Sequence, residues 1–488
     1  MGIDYVKLGV KAGLEIHQQL DVGGKLFCRC PAFLRSEEPD FLVRRRLHKV
    51  AGETGEIDVA VEYEAALKKE FVYQGYNDTT CLVEVDEEPP HLIDERALDE
   101  VLKIALLLNC DIYPATQIMR KTVIDGSNTS GFQRTVLIAH DGYLEMGFGK
   151  VGISSVALEE DAARLVSDKK GKEVVFRLDR LGIPLVEIST KADLKNAEQI
   201  KACALKLGEI LRACKVKRGI GTIRQDLNVS IKGHDRVEIK GFQEPRIMIK
   251  TVELEVERQI EELKNKKKEG EVRNSKDDGM TEYSRPMPGG ARMYPETDLP
   301  LLKIGRDRIN KIKKDLPKLR HEIRDELKKI GLSDELINLV LESHENLDEF
   351  EVLINVYNKD ANLVGKMAVL WRQEFATKLK KSVSDIKSVL SERVLEKVLE
   401  NVRDGKLDVG HVKEVLWAIL EGKNIDEALK VEKIDGDKLE GEIMKIVKEK
   451  PGLGINAYMG MVIGKLGKSV DKRKAMEILN RIVGKQER

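Results

Sequence analysis

The chain has 488 residues, with 84 Lys and Arg against 84 Asp and Glu, so its formal net charge is zero although 34% of its residues are charged. The length suggests about three domains of roughly 150 residues each. A 41% hydrophobic share excludes a disordered or collagen-like chain, and the balanced charge excludes a uniformly basic nucleic-acid coat while leaving local patches open.

Aromatic residues are sparse at 5%, and the wealth of Lys and Glu leans toward the composition of heat-adapted proteins. Six cysteines (Cys28, Cys30, Cys81, Cys110, Cys203 and Cys214) are too few for a disulfide scaffold. The opening MGIDYVKLGVKAG lacks the apolar core of a signal peptide, and no run approaches the ~18 apolar residues of a membrane span. The expected setting is the cytoplasm, away from membranes.

In chain order, Gly55 to Tyr63 (GEIDVAVEY) and Gly221 to Lys232 (GTIRQDLNVSIK) alternate with a period of two and predict strands of an antiparallel sheet. Asp94 to Leu108 predicts a helix with an aspartate cap. Asn196 to Cys214 and Lys250 to Lys268 predict two further amphipathic helices. The charged stretch Lys264 to Gly279 (KNKKKEGEVRNSKDDG) predicts an exposed linker or loop. Arg285 to Pro300 holds four of the chain's 13 prolines and predicts irregular backbone. From Arg306 onward a 3.6-residue period prevails, as in Ile309 to Ile330 and Ser333 to Asn346. Glycine turns at Gly452, Gly454, Gly464 and Gly467 divide the last helices. The expected class is α+β followed by all-α, divided at 1–305, 306–370 and 371–488.

No GxxxxGK[ST] phosphate loop, GxSxG elbow or HExxH is present, and GMVIGKLGK (Gly460 to Lys468) has the wrong spacing for a phosphate loop. GSNTSG, from Gly126 to Gly131, reads as a loop, with a backbone anion nest as the alternative. Glu15 and His17 (GLEIH) lie two apart on a strand and so share a face. Glu159, Glu160 and Asp161 follow an alternating apolar run, and Glu187 lies within IPLVEIS. A carboxylate on a mostly buried strand needs a partner or a metal, and oxygen ligands with one imidazole suit Mg²⁺ or Mn²⁺ better than zinc. A satisfied core histidine beside a salt-bridged Glu187 stays open as the alternative.

Basic residues recur in the same half: Arg120, Lys121, Arg134, Arg180, Arg224, Lys240 and Arg292. With acidic groups for a metal, they provide the mixture that phosphoryl transfer requires; a solvated salt-bridge lattice is the competing reading. Cys28 and Cys30 form half a zinc ribbon at most, which Cys81 joins only if the fold brings it there. Ile455 to Arg488 holds eight basic residues against three acids, a candidate contact for a nucleic-acid backbone or a solvated helical face.

The motifs GLEIHQQL, KLFCRCP, CLVEVDEEPPH, MRKTVIDGSNTSGFQRT, ALEEDAARL, DRLGIPLVEIST and ARMYPETDLP occur in this order. Together they resemble the GatB/GatE family of glutamyl-tRNA(Gln) amidotransferase subunits, and DGSNTSGFQRT favours the archaeal E branch over the bacterial B branch. The resemblance implies that ATP phosphorylates the side-chain carboxylate of glutamate carried on tRNA(Gln), and that ammonia then displaces phosphate. The ammonia would come through a tunnel from an asparaginase-like amidase (GatD), in a heterotetramer of two D and two E subunits.

Carried over, the family's catalytic and metal positions fall on His17, Glu160 and Glu187, with Glu15 beside them and Mg²⁺ as the metal. Arg120, Lys121, Gln133, Arg224, Lys240 and Arg292 fall in matched motifs as nucleotide or substrate contacts. The resemblance implies a cradle like that of glutamine synthetase and guanido kinases, then a helical tail that grips tRNA. The aspartyl-tRNA synthetase-like domain inserted in archaeal E subunits is missing, and only KNKKKEGEVRNSKDDG occupies its interval. The alternative function is a non-catalytic scaffold that positions charged tRNA for a partner.

Overall fold

The computed structural model describes residues 3–49, 51, 55–57, 59–169, 173–287, 293–430, 436–466 and 472–483. It comprises two compact units, Met1–Leu319 and Arg320–Arg488. The first is mixed α/β with mostly antiparallel strands and the second is helical, in keeping with the α+β expectation.

An 11-stranded sheet organises the first unit. The strand Lys11–Gln19 lies inside it, antiparallel to Pro184–Thr190 on one side and to Ile223–Ser230 on the other. Beyond Pro184–Thr190 come Gly149–Glu160, Phe132–Met146 and Ile118–Thr122, all antiparallel. Alternation decides which side chains are sealed. Leu14, Ile16, Val156, Leu158, Val186 and Ile188 belong to one buried core with Val101, Ile200 and Val252 from three helices. At about 1.5–3 kcal/mol for each fully buried aliphatic side chain, this face fixes the register. A one-residue slip would put the whole set on the other side.

The helices are those the sequence predicts. Glu95–Leu107 is capped by Asp94, whose side chain accepts from the Arg96 and Ala97 amides. Ala197–Ala213 is capped by Asn196 through the Gln199 amide, and Met248–Lys264 is the third. Satisfying these first-turn amides is what a short polar cap residue contributes.

Four expectations need correction. Val59–Ala66 is a helix, not part of a strand; Glu62, Glu64, Ala65 and Ala66 favour helix and outweigh a short alternation. The charged interval contains the strand Glu271–Ser275, which runs parallel to Val237–Lys240 with Val272 fully buried. The proline-rich interval is regular at both ends, because Thr281–Pro286 pairs with Glu271–Ser275 and Met293–Pro295 with Ile118–Thr122. Prolines are tolerated at such strand ends and edges. Gly464 lies within the helix Ile455–Leu466, while Gly467 falls outside the described residues. GSNTSG is a packed loop: Gly126 has φ +92 and a Cβ there would meet the Phe71 ring, so glycine is required.

In the helical unit one core runs from Leu327 to Ala428 and continues across residue 370. A second core unites Gly436–Glu449, Ile455–Leu466 and Lys472–Val483. Among the described residues no helix is long and apolar enough to cross a membrane. Arg372, 1% exposed, forks onto Glu349 at 2.5 and 2.7 Å and also donates to the Ala368 and Leu390 carbonyls. Removing one partner of such a pair strands the other charge. Arg372→Met is therefore expected to lower stability by about 3–5 kcal/mol in denaturant titration. The double variant with Glu349→Leu should recover much of that loss.

Candidate active site

The sheet face turned away from the three helices carries the polar side chains. In register, His17 sits opposite Glu187 on one neighbouring strand and Arg224 on the other, while Glu15 sits opposite Asp226. Thr135 faces Glu159, Gln133 faces Lys121, and all four share this side. The His17 Nε2 lies 3.4 Å from Glu187 Oε2, 3.6 Å from Glu15 Oε1 and 3.9 Å from Glu159 Oε2. Lys121 Nζ is 2.6 Å from Glu159 Oε1 and 3.5 Å from Glu187 Oε2. Glu159, with its side chain fully buried, also accepts from Thr135 Oγ1 at 2.8 Å and Gln133 Nε2 at 3.0 Å. The grouping of His17, Glu159 and Glu187 has the closeness of a metal-ligand set, as does that of Glu15, His17 and Asp226.

Electrostatics follow from this crowding. Burial, then the Glu187 charge, pushes the Glu15 carboxyl up to about 7. The same two causes raise Glu159 against the pull of Lys121. For Glu187, burial is overcome by Lys121 and His17, which hold it well below the usual carboxylate range. For His17, burial is overcome by a hydrogen bond to Glu187 and by the three surrounding carboxylates, and its pKa rises. Carboxylates outnumber the adjacent cations here. A divalent cation fits this donor chemistry, since hard oxygen ligands with one imidazole match Mg²⁺ or Mn²⁺.

Glu160 does not join them, which corrects the carried-over assignment. Neighbours on a strand face opposite ways, so Glu159 takes the place beside His17 and Glu160 turns to the helix-covered side. There it accepts from the Arg134 amide at 3.0 Å and guanidinium at 3.2 Å and lines a small pocket with Phe27, Cys28, Glu84 and Asn128. The signal was present: Val156 and Leu158 point inward, so parity assigns Glu160 inward and Glu159 outward.

Arg120 is likewise on the far side from Lys121, bound to Glu296 at 2.5 Å and Asp298 at 3.1 Å, over the Phe132 ring. Arg134 shares Glu296 at 2.9 Å. Arg224 is on the site face, opposite His17, and hydrogen-bonds the fully buried Asp161, which also accepts from Gln19 at 2.6 Å. Lys240 is 3.0 Å from Asp226 and 2.8 Å from Glu238. Arg292 lies outside the described residues. In the tail, Lys465 lies 3.8 Å from both Glu442 and Glu449, and Arg481 pairs with Glu440. Lys468, Lys485 and Arg488 lie outside the described residues, as do the side chains of Lys472 and Arg473.

Fold and site together define a class: a mainly antiparallel sheet with one face sealed by helices and the other carrying carboxylates, one imidazole and cations. The pattern of the GatB/GatE catalytic domain matches residues 10–310. The chain is 36% identical to the E subunit of glutamyl-tRNA(Gln) amidotransferase from Methanocaldococcus jannaschii, over 99% of both chains. It is 32% identical to the corresponding protein of Sulfurisphaera tokodaii, over 99% of this chain and all of that one. The counterpart from Pyrobaculum islandicum is 49% identical over 263 residues, 54% of this chain and 43% of the relative. The protein belongs to the GatB/GatE family. The alignment with the Methanocaldococcus protein spans 631 positions, more than the 488 residues here, so that relative carries sequence that this chain lacks.

Lys121 neutralises a fully buried carboxylate, and removing it should make the site depend on an added cation. Lys121→Met is expected to cost about 3–5 kcal/mol in metal-free buffer. Mg²⁺ should raise its melting temperature more than that of the unaltered chain, as read by calorimetry.

Proposed function

We propose that the chain is the synthetase-side subunit of a tRNA-dependent amidotransferase. It phosphorylates the side-chain carboxylate of glutamate carried on tRNA(Gln) with ATP, and ammonia displaces phosphate to leave glutaminyl-tRNA(Gln). The observation that carries this reading is the convergence of Glu15, His17, Glu159 and Glu187 from three adjacent strands, ringed by Lys121, Arg224 and Lys240. Family membership and the names of the relatives point to the same reaction. The sheet is read as a cradle of the glutamine synthetase and guanido-kinase kind.

A carboxylate is a poor electrophile until one oxygen becomes a leaving group, so the chemistry calls for phosphate transfer and not for a protein nucleophile. Mg²⁺ on His17, Glu159 and Glu187 would neutralise charge on the transferred phosphate. Thr135 and Gln133 fix the rotamer of Glu159, while Lys121 balances it against Glu187. Arg224 and Lys240, at the other side of His17, are placed to orient an anionic substrate. Ammonia is assigned to a partner amidase of the GatD kind, in a complex of two copies of each chain within the cytoplasm. The basic C-terminal helices are assigned to the tRNA backbone. A scaffold without activity would have no use for three carboxylates around one imidazole.

Glu187→Gln is expected to reduce formation of the phosphorylated glutamyl-tRNA by about 100-fold or more, assayed with ATP, Mg²⁺, Glu-tRNA(Gln) and free ammonium. Affinity for tRNA should change less than twofold. Unaltered turnover would contradict the assignment. For the tail, removal of residues 455–488 is expected to weaken tRNA binding and flatten its dependence on salt. Equal affinity across a salt titration would assign tRNA binding elsewhere.

A further inference from the structure

Asp161 anchors two arginines at the edge of the site face. It follows the strand Gly149–Glu160 and is fully buried. Its backbone is fixed by its own amide on the Ile183 carbonyl at 2.8 Å and by the Gly182 amide on its carbonyl at 2.9 Å. Its Oδ2 accepts from Gln19 Nε2 at 2.6 Å and its Oδ1 from the Ala162 amide at 2.8 Å. Arg224 donates to Oδ1 through Nη2, and Arg180 Nε lies 3.8 Å from Oδ2. Arg180 is also held from a second side, because its Nε and Nη2 donate to the Ala162 and Ala163 carbonyls, each at 2.8 Å.

We propose that, in the ATP-dependent reaction on which this assignment rests, Arg180 and Arg224 form a two-armed clamp for the phosphate chain of the nucleotide, with Asp161 as its post. The charges leave room for an anion. Two guanidiniums share one carboxylate, while Gln19 and the Ala162 amide are neutral. The next charges beside Arg180 belong to Asp179 and Arg164, which pair with each other at 2.5 Å. Burial lowers the Arg180 pKa, and the Arg224 charge lowers it further against the pull of Asp161. A phosphate between the guanidiniums would relieve that repulsion.

Donors are available too. Among the described residues Arg180 Nη1 and the Nε and Nη1 of Arg224 have no hydrogen-bond partner. The two side chains are 21% and 38% exposed, so the carboxylate lies at the bottom and the free donors at the rim. Guanidinium forks suit the several oxygens of a phosphate chain, where an ammonium would act as a point charge. Because the forks are anchored before a ligand arrives, less ordering is left for binding to offset. Arg224 stands opposite His17 in register, so the clamp adjoins the carboxylates that suit a divalent cation.

The test uses the full chain in Mg²⁺ buffer without tRNA, with inorganic tripolyphosphate and a non-hydrolysable ATP analogue as probes in calorimetry. Arg180→Gln is expected to weaken both by about tenfold or more, and Arg403→Gln, in the helical unit, to leave both within about twofold. In the amidation assay the KM for ATP should rise in Arg180→Gln while the KM for Glu-tRNA(Gln) stays the same. Equal affinity of the unaltered chain and Arg180→Gln for tripolyphosphate would overturn the proposal. So would a rise in the KM for Glu-tRNA(Gln) alone, which would assign the arginines to the tRNA end or its glutamyl carboxylate. Tripolyphosphate binding that Arg180→Gln abolishes, in a chain that fails to amidate, would uphold the clamp and contradict the proposed reaction. Should Arg180→Gln fail to fold, labelling of the unaltered chain with phenylglyoxal decides the question. Tripolyphosphate should shield Arg180 and Arg224 from the reagent, and equal labelling with and without it overturns the clamp.

Discussion

The first unit depends on a single constraint: charged side chains on an inner strand must all leave by the same face. Lys11–Gln19 has a bonded strand on each side, so its backbone cannot shift to relieve an unfavourable side chain. Ala12, Leu14 and Ile16 are sealed beneath helices, and Glu15 and His17 therefore emerge opposite. The neighbouring strands inherit that parity through the register, which brings Glu187 and Glu159 to the same histidine. Apolar burial on one face thus sets the geometry of the polar site on the other.

Placing several carboxylates together costs free energy in the fold. Their charges repel, and Glu159 has no access to solvent. Lys121 and the hydrogen bonds from Thr135 and Gln133 offset part of the penalty, but Glu15 and Glu159 still have raised pKa values. Stability is thereby traded for a cluster of carboxylates whose repulsion a divalent cation would relieve. Glu160 meets the same cost with a different partner. Burial raises its pKa too, and the amide and guanidinium of Arg134 offset part of that, while Arg134 in turn shares Glu296 with Arg120.

Much of this was legible in the sequence. The alternation GLEIH placed Glu15 and His17 on one face, and the Asp94 and Asn196 caps marked helix starts, because both signals act over a few residues. Local signals failed where a distant partner decides. Glu271–Ser275 is a strand because Val237–Lys240 supplies its hydrogen bonds, despite a charged composition. Val59–Ala66 is helical because Glu62, Glu64, Ala65 and Ala66 outweigh its short alternation. Strand parity counted from the buried Val156 and Leu158 separates Glu159 from Glu160. Cys81 was beyond any local signal, since about fifty residues separate it from Cys28 and Cys30 and only the fold unites them.

The central claim is that His17, Glu159 and Glu187 hold a divalent cation on the open face of the sheet. Titration of Mn²⁺ followed by electron paramagnetic resonance, in the presence of a non-hydrolysable ATP analogue, tests it most directly. Glu159→Gln should lose tight Mn²⁺ binding, whereas Glu160→Gln, altered one residue away on the other face, should retain it. Retention in Glu159→Gln with loss in Glu160→Gln would contradict the account.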